Sequence, residues 1–151
     1  MTVAFFGHRF VIEDIKDEIE RVILENINSG EELVFYLGGY GSFDYQCASV
    51  CKKIKNEIGN CETVLVTPYL TDSHQEKIKE WMKLKMYDSV LYPPLEKVPL
   101  KFAISKRNEW MISEADLIIV YVKRCFGGAY NALKYAKRKK KRIINLAGEV
   151  L

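Results

Sequence analysis

No apolar run in the 151-residue chain is longer than a strand, which excludes a membrane-spanning helix. No signal-peptide pattern precedes the first predicted strand, so a cytoplasmic protein without a membrane partner is expected. The four cysteines, Cys47, Cys51, Cys61 and Cys125, lack zinc-ligand spacing and are read as reduced thiols. No metal and no cofactor is expected. The formal net charge of +3 is too small by itself to imply nucleic acid. Neither common nucleotide fingerprint is present. No Gly-Lys-Ser/Thr follows a glycine turn, as a P-loop needs. The glycine turn after the second predicted strand lacks the dinucleotide-binding spacing. Without repeat, linker or low-complexity tail, residues 1–151 read as one domain, long enough to bury a core.

What is present is an alternation of strand and helix. Thr2 to Phe6 reads as a buried strand. Ile12, Ile15, Ile19, Val22, Ile23 and Ile27 follow at helical spacing among charged residues. Leu33 to Leu37 is the second strand. Cys47, Val50, Cys51, Ile54 and Ile58 mark one face of the second helix, which Gly59 stops. Further strands are predicted over Thr63 to Thr67, Ser89 to Tyr92, Leu117 to Val122 and Arg142 to Leu146. Helices are predicted over His74 to Lys85, Phe102 to Glu114 and Tyr130 to Lys140. Leu95 to Leu100 reads as an ordered loop restricted by Pro93, Pro94 and Pro99. The pattern predicts an α/β fold of Rossmann-like type: a mainly parallel sheet of about six strands with helices on both faces. Such sheets bind ligands at the carboxyl ends of their strands.

The polar and glycine motifs fall at those ends. Gly7-His8-Arg9 follows the first strand. There Arg9 is a candidate for a bidentate phosphate contact, and His8 for a donor to phosphate or ribose. Gly38-Gly39-Tyr40-Gly41-Ser42-Phe43-Asp44 follows the second strand. Gly41 permits close backbone approach, and Ser42 is suited to capping the helix. Asp44 has two readings: it favours the helix dipole, or it accepts from ribose hydroxyls or fixes the loop. Lys106-Arg107-Asn108 precedes the fifth strand, with Arg107 a candidate phosphate or transition-state clamp. Gly127-Gly128-Ala129-Tyr130 opens the next helix, where backbone N–H groups and the helix dipole suit phosphate and Tyr130 suits stacking on a base. The basic run Lys134, Lys137, Arg138, Lys139, Lys140, Lys141 and Arg142 reads mainly as a solvated helix end whose cations suit the dipole.

Taken together, these residues resemble the SLOG superfamily, which joins LOG-type phosphoribohydrolases, DprA/Smf DNA-processing proteins and YpsA-like proteins. The likeness is greatest to the YpsA-like branch. It spans essentially the whole chain, through Phe5-Phe6-Gly7-His8-Arg9, the Gly38 to Asp44 turn, Thr67-Pro68-Tyr69, Tyr92-Pro93-Pro94, Lys106 to Met111 and Gly127-Gly128-Ala129. The resemblance implies a Rossmann-like fold, a nucleotide or nucleotide-derived ligand, and a homo-oligomer. For pairing, Trp81, Met82 and Trp110 are the residues of interest. LOG-type enzymes resemble the chain at Arg107, but their catalytic glutamate falls on Lys134. A carboxylate is what an oxocarbenium-like transition state calls for. Asp44 and Glu109 are the candidate substitutes. The leading expectation is therefore a nucleotide-binding protein that senses, carries or sequesters a nucleoside phosphate or an ADP-ribose-like signal. The alternatives are a nucleoside-monophosphate phosphoribohydrolase and a protein- or DNA-interaction module. DprA-type proteins carry further domains, and nucleic acid is not expected as a partner.

Overall fold

The computed structural model describes residues 1–28 and 30–148; Ser29 and residues 149–151 lie outside the described part. Six strands, β1 (Thr2–Gly7), β2 (Leu33–Leu37), β3 (Cys61–Val66), β4 (Ser89–Leu91), β5 (Leu117–Tyr121) and β6 (Arg142–Asn145), form one sheet. Its order is β4-β3-β2-β1-β5-β6, and every neighbouring pair is parallel. The five helices are α1 (Lys16–Glu25), α2 (Gly41–Ile58), α3 (Asp72–Lys83), α4 (Ala103–Glu114) and α5 (Gly128–Arg138).

Parallel strands need long crossovers, and the helices supply them, which covers both faces of the sheet. Val3 and Phe5 of β1 point to one face with Leu33, Phe35 and Leu117, where α1 and α2 pack through Ile19, Ile23, Cys47, Cys51 and Ile54. α3 adds Ile78, Trp81 and Met82 at that core's edge. Ala4 and Phe6 point to the other face, where α4 and α5 bring Met111, Ile112, Ala132, Leu133 and Ala136. Trp110 stacks on Tyr36 there, so the aromatic residues of interest for pairing pack on this chain's own core. The four cysteines are unpaired, Cys47 and Cys51 wholly buried. Among the described residues no helix is long and apolar enough to cross a membrane.

The first helix starts later than its periodicity predicts. Ile12 is 97% exposed, in a loop. Val11 N–H donates to Ser42 Oγ (2.6 Å) and Ile15 N–H to Gln46 Oε1 (2.8 Å). These bonds hold residues 11–15 against α2 in a non-helical path, so the helix begins at Lys16. Periodicity reports side chains and is blind to this competition for backbone donors.

Strand order reverses between β1 and β5. From β1 the chain winds one way through β2, β3 and β4, and from β5 the other way to β6. Gly7 of β1 lies opposite Tyr121 of β5, so the loops after these strands diverge from a shared crevice. That is the topological switch point at which open α/β sheets bind ligands.

Candidate functional site

A cavity of about 300 Å³ occupies the switch point. Its floor is the end of β1, with Phe5, Phe6 and Gly7. The β1–α1 loop contributes His8 and Arg9, the β2–α2 turn Gly38, Tyr40 and Asp44, and α4 contributes Ile104, Arg107 and Asn108. The β5–α5 loop closes it with Arg124, Phe126, Gly127, Gly128 and Ala129. Gly39, Gly41, Ser42, Glu109 and Tyr130 do not line it.

The two glycine turns differ in what they leave available. At α5 no side chain caps the helix, and the first intrahelical bond joins Asn131 N–H to Gly127 O. The N–H groups of Gly128 and Ala129 belong to the first turn, whose donors have no intrahelical partner, and they stand at the cavity beside the positive end of the helix dipole. At α2 two of the donors are taken. Tyr40 N–H donates to Asp44 Oδ2 (2.8 Å), and Ser42 N–H to Arg9 O (2.8 Å). Ser42 does not cap α2: its hydroxyl is tied to Val11 N–H and to the carbonyls of Arg9 and Val11. This residue therefore pins the Arg9 loop to α2.

His8 is a latch. Its Nε2 accepts from Lys123 N–H (2.9 Å) and Arg124 N–H (3.4 Å), joining the loops on either side of the switch point. An accepting Nε2 is unprotonated, which leaves Nδ1 to carry the ring proton in the neutral form. Burial, then the charges of Arg124 and Lys123, lower the His8 pKa and favour that form.

Arg107 is only 4% exposed. Its Nη1 donates to Val66 O (2.8 Å) and Gly38 O (3.1 Å), and its Nε to Asn108 Oδ1 (2.9 Å). Its Nη2 has no hydrogen bond among the described residues. No buried side-chain nitrogen or oxygen among them lacks a partner, so Nη2 must reach the cavity's solvent. Arg107 thus braces the ends of β2 and β3 and offers one edge of its guanidinium to the cavity. Beyond it, Tyr40 stacks on His74 (5.9 Å), itself edge-on to Tyr69 and Trp81.

Three arginines, Arg9, Arg107 and Arg124, line the cavity against one acidic residue, Asp44. Burial pushes the Asp44 pKa up to about 6 from 3.8, although the Tyr40 N–H bond and the Arg107 charge pull it down. The fold thus holds the protonated acid in preference to the carboxylate. This contribution to stability is complete below pH 3.8 and is lost as the pH rises through about 6. Asp44→Asn stays neutral throughout. The stability of Asp44→Asn relative to wild type is therefore expected to rise between pH 4 and pH 7, read by urea unfolding at both ends. A difference independent of pH would refute a raised Asp44 pKa.

The other candidate carboxylate stands elsewhere. Glu109 faces a second, larger cavity between α4 and α5 and pairs with Lys106 (3.1 Å). Lys134 lines that second cavity too. Among the described residues no group of three or more His, Cys, Asp and Glu could hold a metal. Sequence reasoning missed Arg124 and Phe126. Their only signal is position, immediately before Gly127-Gly128 in the same loop.

No protein-family model matches the chain, and no curated protein matches it. Solved structures do, through their fold. DNA processing protein A (DprA) from Streptococcus pneumoniae superposes with a TM-score of 0.68 at 21% identity, over 99% of this chain and 51% of that one. TM1055, a structural-genomics target, gives 0.62 at 12% identity, over 99% of this chain and 75% of that one. DNA processing protein A from Helicobacter pylori, described for its single-stranded DNA binding mode, gives 0.63 at 17% identity, over 95% and 63%. The chain thus spans about half of the Streptococcus protein's length. These matches support the Rossmann-like α/β architecture at the level of fold. They also correct one expectation. Nucleic acid was not expected as a partner, yet the Helicobacter protein carries this fold and binds single-stranded DNA. A small net charge does not count against it either, because local clustering of cations, more than their sum, makes a nucleic-acid surface.

Proposed function

We propose that the protein binds a phosphorylated nucleotide or nucleotide derivative, such as a nucleoside phosphate or an ADP-ribose-like molecule, in the switch-point cavity. The observation that carries this reading is the charge arrangement: three arginines converge with an uncapped helix N-terminus on a cavity whose one carboxyl is held towards neutrality. Such a site favours an anion, and a guanidinium fork matches phosphate. About 300 Å³ suits one nucleotide unit. In this reading phosphate sits on the Gly127-Gly128-Ala129 N–H groups with Arg9 and Arg124, and ribose lies near His8 and Asn108. Placement in the YpsA-like branch and a cytoplasmic setting belong to the same proposal and rest on the sequence motifs. Glycosidic-bond cleavage of LOG type is outside it, since Glu109 faces the second cavity and Lys134 stands at the glutamate's position.

The test is thermal unfolding against nucleoside mono-, di- and triphosphates, NAD, ADP-ribose and cyclic nucleotides. A ligand at one hundred times its dissociation constant adds roughly 2.7 kcal/mol, a rise on the order of 5–10 °C here. The shift should disappear in Arg9→Ala with Arg124→Ala, which leaves the buried Arg107 brace intact. A shift unchanged in that double variant would sink the site assignment. Any nucleotide that binds is then incubated and assayed for free base. Base release abolished by Asp44→Asn would replace binding with hydrolysis. A second reading, interaction with single-stranded DNA, is favoured by the fold shared with the Helicobacter protein. It predicts salt-sensitive binding of single strands and no thermal shift with free nucleotides.

A further inference from the structure

The deep part of the switch-point cavity contains two opposite charges that do not meet. Arg107 is 4% exposed and Asp44 8% exposed, and both line the cavity. Each feels the other's charge. Yet among the described residues no Arg107 nitrogen comes within 4.0 Å of an Asp44 oxygen. Buried opposite charges are expected to pair at contact distance, because neither has water to replace the partner. Here their structural bonds hold them apart. Nη1 and Nε of Arg107 are committed to Gly38 O, Val66 O and Asn108 Oδ1. Asp44 Oδ2 is committed to Tyr40 N–H at the start of α2.

One donor edge and one acceptor atom remain. Asp44 Oδ1 has no hydrogen bond among the described residues. No buried side-chain oxygen among them lacks a partner, so Oδ1 reaches the cavity's solvent, as Arg107 Nη2 does. Neighbouring acceptors are engaged: Asn108 Oδ1 takes Arg107 Nε–H, and His8 Nε2 takes the N–H groups of Lys123 and Arg124. Above the Asp44 pKa of about 6, Oδ1 is a carboxylate oxygen and only accepts.

We propose that Asp44 Oδ1 and Arg107 Nη2 read the edge of the nucleotide's base and select a base whose ring N–H stands next to a carbonyl, as in hypoxanthine, guanine and uracil. The base carbonyl accepts from Nη2, the ring N–H donates to Oδ1, and the ligand bridges two side chains that the fold keeps apart. The proposal rests on the nucleotide reading above and supplies what that reading leaves open, the identity of the base. With phosphate at the start of α5 and ribose near His8 and Asn108, the base is the part that remains to meet this pair. Adenine and cytosine present the reverse edge, an amino group next to an unprotonated ring nitrogen. In the same place their amino group faces Nη2, donor against donor, and their ring nitrogen faces Oδ1, acceptor against acceptor. A site built to hydrogen-bond one edge rejects the other because its own buried groups are then left unpaired.

The test compares inosine and adenosine 5′-monophosphates, which differ only at this edge, by calorimetry well above pH 6. The wild type is expected to bind the inosine form at least about tenfold more tightly, with a similar factor for uridine over cytidine monophosphate. Asp44→Asn should bring both ratios close to one. Its amide oxygen must take the Tyr40 N–H, so the amide NH2 faces the cavity as a donor where the acceptor stood. Each base edge then makes one match and one mismatch. Arg9→Ala with Arg124→Ala, on the phosphate side, should weaken all four ligands by one factor and keep the ratios. A merely structural role for Asp44 would do the same in Asp44→Asn, so the ratio separates the two roles. If the wild type binds inosine and adenosine monophosphates alike, or Asp44→Asn keeps the preference, the base assignment is overturned while the nucleotide reading stands. Equal binding of the two, with affinity lost on removing the 2′-hydroxyl, gives the pair to the ribose and also overturns it. If no nucleotide binds, both readings fall.

Discussion

Replacing Arg107 with alanine will lower the free energy of unfolding by about 2–5 kcal/mol, chiefly because two buried carbonyls lose their donor. The side chain holds Val66 O and Gly38 O, the carbonyls at the ends of β3 and β2, from a position only 4% exposed. Truncation leaves both carbonyls without their donor, at about 1–3 kcal/mol for each buried group left unpaired. It also strips Asp44 of the neighbouring charge that lowers its pKa. Arg107→Lys is expected to recover little, because an ammonium is a point charge and cannot span two carbonyls and Asn108 as the planar fork does. Adding Asp44→Asn to Arg107→Ala should return part of the loss, since no carboxylate is then left unmatched. Urea unfolding of these three variants beside the wild type checks this. A loss under about 1 kcal/mol, the range of exposed pairs, would place Arg107 among solvated side chains. This expectation separates Arg107 from Arg9 and Arg124, whose removal should cost ligand affinity and little stability.

The sheet was legible because its strands are nearly continuous apolar runs, as buried parallel strands require. Leu117 to Tyr121 is buried at every position. Helix starts were less legible where backbone donors are taken by side chains of another element, as Ser42 and Gln46 take those of Val11 and Ile15. At the site, Gly7-His8-Arg9 and Gly127-Gly128-Ala129 could be read from the sequence because strand ends in this fold open on the crevice. Arg107 could be picked out as a charged residue near that crevice, but no spacing rule reveals that it turns inward onto two carbonyls. Ser42 and Asp44 illustrate the same limit. Either side chain can close a helix end, and only the fold decides that Asp44 takes the Tyr40 N–H while Ser42 reaches across to another loop. Arg124 and Phe126 had no pattern at all, because a short loop has no periodicity.

Gly41→Ala is the second substitution expected to have a large effect, a loss of roughly 2–4 kcal/mol, and it connects stability to the site. Gly41 has φ +89°, a conformation that costs a side-chain-bearing residue about 1–3 kcal/mol. A Cβ there would also stand 2.7 Å from the Cα and the carbonyl oxygen of Arg9. Those are backbone atoms, so the clash cannot be relieved by a rotamer change. The β1–α1 loop must move, and with it the bond from Ser42 N–H to Arg9 O. Arg9 would shift from the cavity's edge, so nucleotide affinity should fall together with stability. Gly59→Ala separates the two causes. Gly59 ends α2 with φ +66°, and nothing lies within 4 Å of a Cβ placed there. That variant bears backbone strain alone, about 1–3 kcal/mol, and should bind ligand as wild type does. Urea unfolding and the nucleotide thermal shift, measured on both variants, decide the matter. If Gly41→Ala loses no more stability than Gly59→Ala and binds as well, close packing of the first two loops does not set the position of Arg9.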